Sequence, residues 1–64
     1  MCMAKVYLEG EDEEELVLEE VATLRVDGDR LLLETIFGEQ KSLAARIERI
    51  DFLNSRIVLS QPFG

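Results

Sequence analysis

Apolar runs of three or four residues recur along the chain, each ended by charged or turn-forming residues, and this spacing predicts short strands. Met3–Glu9 reads as a first strand closed by Gly10. The five consecutive acids Glu11-Asp12-Glu13-Glu14-Glu15 repel one another and stay solvated, as an exposed hairpin loop. Leu16-Val17-Leu18 and Val21–Val26 follow as two short strands joined by a bend near Glu19-Glu20. A helix over 13–24 competes there, because Glu and Leu are good helix formers. Asp27-Gly28-Asp29 between apolar runs is a strong tight-turn signal. Arg30–Phe37 is the next strand, with Leu31, Leu33, Thr35 and Phe37 on one face and Arg30, Leu32, Glu34 and Ile36 on the other. Apolar residues on both faces predict that one meets the core and the other a dimer partner.

Gly38 closes that strand, and the pattern then becomes ambiguous. Residues 41–47 fit a helical turn capped by Ser42, or a short strand or turn at 40–45 running into a strand at 46–53; the second is preferred. A two-residue turn at Asn54-Ser55 and a strand over Arg56–Ser60 finish the pattern. Pro62 bars further central pairing, so the tail 61–64 is expected to fray. Five to seven short strands with tight turns predict an all-β fold, a small antiparallel SH3-like barrel, as a single domain over 1–64.

Size sharpens the picture. At 64 residues a chain buries only roughly 60% of the surface its unfolded form exposes, so stability is marginal without a staple or partner. One cysteine cannot form an intrachain disulfide, which leaves a metal, a dimer interface or both. The hydrophobic fraction of 47% beside 33% charge is that of a folded chain. A net charge of −7 argues against non-specific nucleic-acid binding and against anionic membranes. No apolar run approaches the length of a spanning helix, no signal peptide is evident, and a lone cysteine suits a reducing cytoplasm.

Catalytic chemistry finds little support. The chain has no histidine, so no imidazole base, and Ser42, Ser55 and Ser60 have no evident activating partner. A phosphate-cradling glycine loop is absent, and fourteen carboxylates make any acid–base pair uninformative. The run 11–15 lacks the ligand spacing of a calcium loop. The chain is expected not to be an enzyme.

Soft-metal or thiol chemistry must begin at Cys2. Three readings stay open on the residues alone: a small apolar filler, a metal ligand and a redox-active thiol. Removal of Met1, common in bacteria before a small residue, would expose the Cys2 amine beside its thiol, and the two close a five-membered ring on a metal. Binding displaces both protons, so affinity rises with pH. The Met3 backbone amide is the next donor, and the resulting nitrogen–nitrogen–sulfur set suits Ni(II) or Cu(II) with one square-planar position open to a second Cys2. Zinc prefers four Cys or His ligands. With Met1 retained the ring cannot form, and such a chain is expected to stay metal-free. A rival reading gathers Lys41, Arg46, Arg49 and Arg56 into a mildly basic face for RNA or protein, although Tyr7, Phe37, Phe52 and Phe63 offer few stacking aromatics and that face reads more simply as solvated surface.

The start Met1-Cys2-Met3-Ala4, the turn at Asp27-Gly28 and the late pattern Ile50-Asp51-Phe52-Leu53-Asn54-Ser55-Arg56-Ile57 resemble the small CooT-type proteins, accessory factors of carbon monoxide dehydrogenase maturation. That resemblance covers most of the chain. It implies a homodimer of small barrels that binds nickel, Ni(II), through Cys2 for delivery to carbon monoxide dehydrogenase or another nickel enzyme. Related chains also carry a looser label as RNA-binding proteins.

Overall fold

The computed structural model describes residues 3–61, so Met1, Cys2 and the tail Pro62–Gly64 lie outside the described residues. Six strands are present: β1 (Ala4–Glu9), β2 (Glu14–Asp27), β3 (Arg30–Thr35), β4 (Gln40–Ala44), β5 (Arg46–Asp51) and β6 (Arg56–Ser60). They form one sheet in the order β4-β3-β2-β1-β6-β5. Every pairing is antiparallel except β1 with β6, which run parallel from Lys5↔Arg56 to Glu9↔Ser60. Laid flat, the edge strands β4 and β5 would stand about 24 Å apart, five spacings of ~4.8 Å. A single residue, Ala45, joins them, and it is buried. Only a rolled sheet brings these edges that close, which gives the SH3-like barrel.

Pleat alternation fills the inside. Val6, Val21, Leu31, Leu33, Ala45 and Leu59 form the buried core, with Leu8, Leu18, Leu24, Leu43 and Ile57 packed against it. Val58 is equally buried but points away from Leu59, towards the outer face, where its strand neighbours are Tyr7 and Arg49. Arg56 helps to cover that outer face: its guanidinium lies 4.4 Å from the centre of the Tyr7 ring and its tip pairs with Glu14 of β2.

Several boundaries differ from the sequence expectation. The stretch 14–27 is one long strand rather than two, and no residue of 13–24 is helical. Its bend is nevertheless where the Glu19-Glu20 pair predicts one: Glu20 has φ +56, and the register slips on both sides, between Ala4 and Val6 against β1 and between Val21 and Thr23 against β3. One left-handed residue turns the strand without breaking its ladder, as a bulge does. The acid run also divides. Glu11, Asp12 and Glu13 lie in the loop, whereas Glu14 and Glu15 enter β2 opposite Glu9 and Leu8. The like-charged Glu9–Glu14 pair is offset by Arg56.

Turn chemistry explains the remaining differences. Gly28 (φ +61) and Asp29 make the two-residue turn between Asp27 and Arg30, with positive φ at the first central position only, the type II′ pattern. β3 stops at Thr35, so Phe37 leaves the core row and is exposed. The cause is the buried Thr35 hydroxyl, which accepts hydrogen bonds from the Phe37 and Glu39 amides at 3.2 and 3.1 Å and starts a turn completed by Gly38 at φ +89. β5 ends at Asp51 rather than at 53, and four residues, Phe52–Ser55, connect it to β6. The left-handed residue is Ser55, φ +54, and not Asn54. Asn54 is held instead by Asp51, to which it donates from its amide N–H (3.1 Å) and its side-chain Nδ2 (2.9 Å). The segment 40–45 is a strand, pairing with β3 from Arg30↔Ala44 to Glu34↔Gln40, so the Ser42-capped helical turn does not form.

Candidate functional site

The registers sort the loops onto two rims of the barrel. Ala4 pairs with Val21, Val21 with Thr35, the Ile36 amide donates to the Glu20 carbonyl (3.0 Å), and the Lys5 amide donates to the Ser55 carbonyl (3.0 Å). The start of β1, the bend of β2, the β3–β4 turn and the β5–β6 hairpin therefore share one rim, here the N-terminal rim. Glu9 pairs with Glu14 and Ser60, Ser60 with Arg46, and Arg30 with Ala44 and Asp27. The acid loop, the Gly28 turn and the β4–β5 joint thus share the opposite, acidic rim.

The rims differ in kind. Six of the large apolar residues exposed among the described residues stand on or beside the N-terminal rim: Met3, Ile36, Phe37, Ile50, Phe52 and Leu53. Phe52 and Leu53 are 86% and 93% exposed, adjacent, and carried on the hairpin that Asp51 and Asn54 clamp. The Asn54 side chain, then its amide, hold the Asp51 carboxyl below its ordinary value. Beside this tip runs an apolar groove of about 160 Å³ that includes Ala4, Ala22, Leu24, Ile50 and Ile57. The acidic rim carries Glu9, Glu11, Asp12, Glu13, Glu14, Glu15, Asp27 and Asp29 against only Arg30 and Arg46. Around the N-terminal rim the balance is Glu19, Glu20, Glu34, Glu39 and Asp51 against Lys5, Lys41, Arg49 and Arg56. Nearly all of the chain's net charge of −7 therefore sits at one end.

Of the residues singled out from sequence, Cys2 lies outside the described residues. Met3 is described: it precedes β1 at the N-terminal rim and is 39% exposed. Among the described residues no group of three carboxylates or other ligand side chains is placed to hold a metal. The four bases do not assemble into one face. Arg46 lies on the acidic rim and Lys41 and Arg49 towards the other, while Arg56 is engaged by Glu14 and Tyr7. Of the row Arg30, Leu32, Glu34 and Ile36, expected to present a dimer surface, the first three have polar neighbours in Arg25, Thr23, Ser42 and Gln40, Arg30 donates to Ser42 Oγ at 3.0 Å, and Ile36 lies beyond the strand, exposed. The sequence does not reveal the apolar rim, because the pairs Ile36-Phe37 and Phe52-Leu53 lie far apart along the chain and each falls in an expected strand. Among the described residues no helix is long and apolar enough to cross a membrane.

Comparison with known proteins places this architecture. The family model for the CO dehydrogenase accessory protein CooT matches residues 1–60, a span that includes Cys2. The chain belongs to the CooT family. A crystal structure from Carboxydothermus hydrogenoformans, whose chain bears a provisional CooT designation, superposes with a TM-score of 0.88 at 40% identity, covering 94% of this chain and 97% of that one. An uncharacterized protein of Methanocaldococcus jannaschii is 30% identical over 59 residues, 92% of this chain and 96% of its own. The family description is of an accessory factor, in keeping with a chain that has no histidine and no evident catalytic constellation.

Proposed function

We propose that this CooT-family chain is a non-catalytic nickel carrier of the cytoplasm that holds Ni(II) at Cys2 and releases it to carbon monoxide dehydrogenase, or to another nickel enzyme, during assembly. The observation that carries the reading is the match to an accessory protein of that enzyme across residues 1–60, in a chain whose lone thiol stands at position 2. Donor chemistry supports it. A thiolate beside a terminal amine, with the Met3 amide as a further nitrogen, favours Ni(II) over the hard cations that the acidic rim would attract. One chain supplies too few ligands for a closed site, so two chains sharing one ion through two Cys2 thiolates complete it. The same shortage keeps the ion exchangeable: an acceptor's thiolates replace the carrier's ligands stepwise, and no bond of a substrate is made or broken. The RNA-binding alternative has less support, since Arg56 is engaged and the remaining bases are scattered.

The test is titration of natively processed protein with Ni(II), followed through thiolate-to-nickel absorption. The expected outcome is a charge-transfer band that Cys2→Ala abolishes, and an affinity that rises with pH as amine and thiol lose their protons. A chain that keeps Met1 is expected to bind far more weakly. Equal nickel binding by the unaltered and Cys2→Ala proteins would overturn the site.

A further inference from the structure

We propose that the mouth of the barrel at the acidic rim is a docking slot for a basic segment of a partner protein. The segment places one large apolar side chain among Val26, Leu31, Ala45 and Ile47 and sets its lysines or arginines against the surrounding carboxylates. This surface lies at the opposite end of the barrel from the start of β1, and the proposal does not rest on the nickel reading.

The slot follows from the way two core-facing rows end. Val26 stands opposite Leu31 in the β2–β3 pair, and Ile47 opposite Leu59 in the β5–β6 pair. Cross-strand partners share a face of the sheet, so both residues belong to inward rows. Leu31 and Leu59 are buried, yet Val26 is 63% exposed and Ile47 38%. The inward rows therefore run past the last layer of the core, and no described side chain caps them. Between them lies a recess of about 310 Å³, lined by Val26, Leu31, Ala45 and Ile47 together with Asp29 and Arg46. A cavity of about 150 Å³ accepts one benzene ring, so the recess has room for a large apolar side chain and part of the backbone that carries it. β5 is an edge strand, paired only with β6 among the described residues, so an extended segment has a free strand edge to lie along.

Charge selects the kind of occupant. Eight carboxylates share this rim with Arg30 and Arg46. Of the eight, only Glu14 has an ion-pair partner among the described residues, Arg56. A second copy of a −7 chain is repelled from this end, and so is an anionic lipid surface. A neutral apolar segment would fill the recess but gain nothing from its surroundings. An apolar residue flanked by Lys or Arg answers both features: the carboxylates draw the segment in and orient it, and the recess holds it.

The experiment titrates the full-length chain into a fluorescently labelled peptide that carries one leucine between pairs of arginines, with binding read by anisotropy. It is run at low ionic strength and again at about 0.3 M, where exposed charges are largely screened beyond ~6 Å. Saturable binding is expected, with the largest amide shifts in nitrogen-15 spectra at 26–31 and 45–47. Serine in place of the peptide's leucine should weaken binding about tenfold or more, the scale of one apolar side chain left unburied. Val26→Asp is the decisive variant, because it spoils the recess and adds a negative charge. Docking in the slot then weakens about tenfold, whereas adhesion by charge alone tightens. Val26 is largely exposed, so the fold should survive, and Ile47→Thr tests the opposite wall with no change of charge. Glu11→Gln with Asp12→Asn and Glu13→Gln should weaken binding at low salt and flatten its salt dependence. Cys2→Ala should bind the peptide as the unaltered chain does. No saturable binding, equal binding of the leucine and serine peptides, tighter binding by Val26→Asp, or shifts confined to the acid loop would each overturn the proposal. So would a recess filled by the chain's own residues 62–64, seen as nuclear Overhauser contacts between Phe63 and Val26 in the free protein.

Discussion

The two rims of this barrel are made from the same kind of element, tight β-connections, yet they solve opposite problems. The acidic rim gathers eight carboxylates and two arginines. Its like charges keep two such ends apart. The N-terminal rim exposes six large apolar side chains on turns fixed by side-chain hydrogen bonds, Thr35 for one and Asp51 for the other. A small domain does not hold exposed Phe and Leu in place without a reason, since contiguous apolar surface marks an interaction site. The contrast teaches that one barrel can gather its charge at one end and its exposed apolar surface at the other. Strand β1 begins at the apolar end.

That contrast can be broken or sharpened at graded cost. The largest effect belongs to the core on which both rims hang. Leu33 is fully buried, and Leu33→Ala should cost roughly 2–5 kcal/mol in denaturant unfolding, enough to threaten both ends together. If both rims hang on the one core, protection from hydrogen exchange should fall at each; loss at one rim alone would show that they fold independently. Next comes Thr35→Val, which keeps the shape and removes the oxygen serving the Phe37 and Glu39 amides. It should cost about 1–2 kcal/mol and loosen Ile36 and Phe37 without disturbing the acid loop. Equal loosening at both rims in residue-resolved exchange would contradict the division.

Arg56 links the two regions, reaching from the row of Lys5 over Tyr7 to Glu14 beside the acid loop. Both partners of the ion pair are about a third exposed, so solvent discounts its strength. Arg56→Met should lower stability by only about 0.5–1 kcal/mol, mostly through the lost ring contact. High salt should shrink that difference; a salt-independent loss of the same size would assign it to packing alone. The smallest effect is a pH dependence at the apolar tip. The Asp51 carboxyl sits below its ordinary value because ionised Asp51 accepts from Asn54. A depressed carboxylate adds stability above its unfolded value, and that contribution fades as pH falls below about 4, through the folded value. The protection factors of the hairpin amides 52–55, corrected for intrinsic exchange, should therefore fall as pH drops below about 4, and Asp51→Ala should remove that dependence.

Much of this was legible in the residues. Period-two alternation over Arg30–Phe37 put Leu31, Leu33 and Thr35 on one face, the one the structure buries, although Phe37, read with them, is exposed. Asp27-Gly28 marked the turn, because pleat and positive φ act locally. The bend near Glu19-Glu20 was legible for the same reason. With no histidine and one cysteine, Cys2 is the one thiol in the sequence, and the family match includes that position.

What the sequence alone could not decide was anything set by which strands become neighbours. Val58 is buried on the outer face, Arg56 is drawn to Glu14 across 42 positions, and Phe37 leaves its row because a hydroxyl two residues back captures its amide. Above all, Ile36, Phe37, Phe52 and Leu53 read as residues of two separate strands, since strand pattern is a local property. Their gathering on one exposed rim depends on the parallel β1–β6 pairing and the rolling of the sheet about Ala45, contacts that exist only once distant segments have met. Local residue chemistry determined most of the strands and the sharpest turns; tertiary pairing alone determined that β1 begins at the barrel's apolar end.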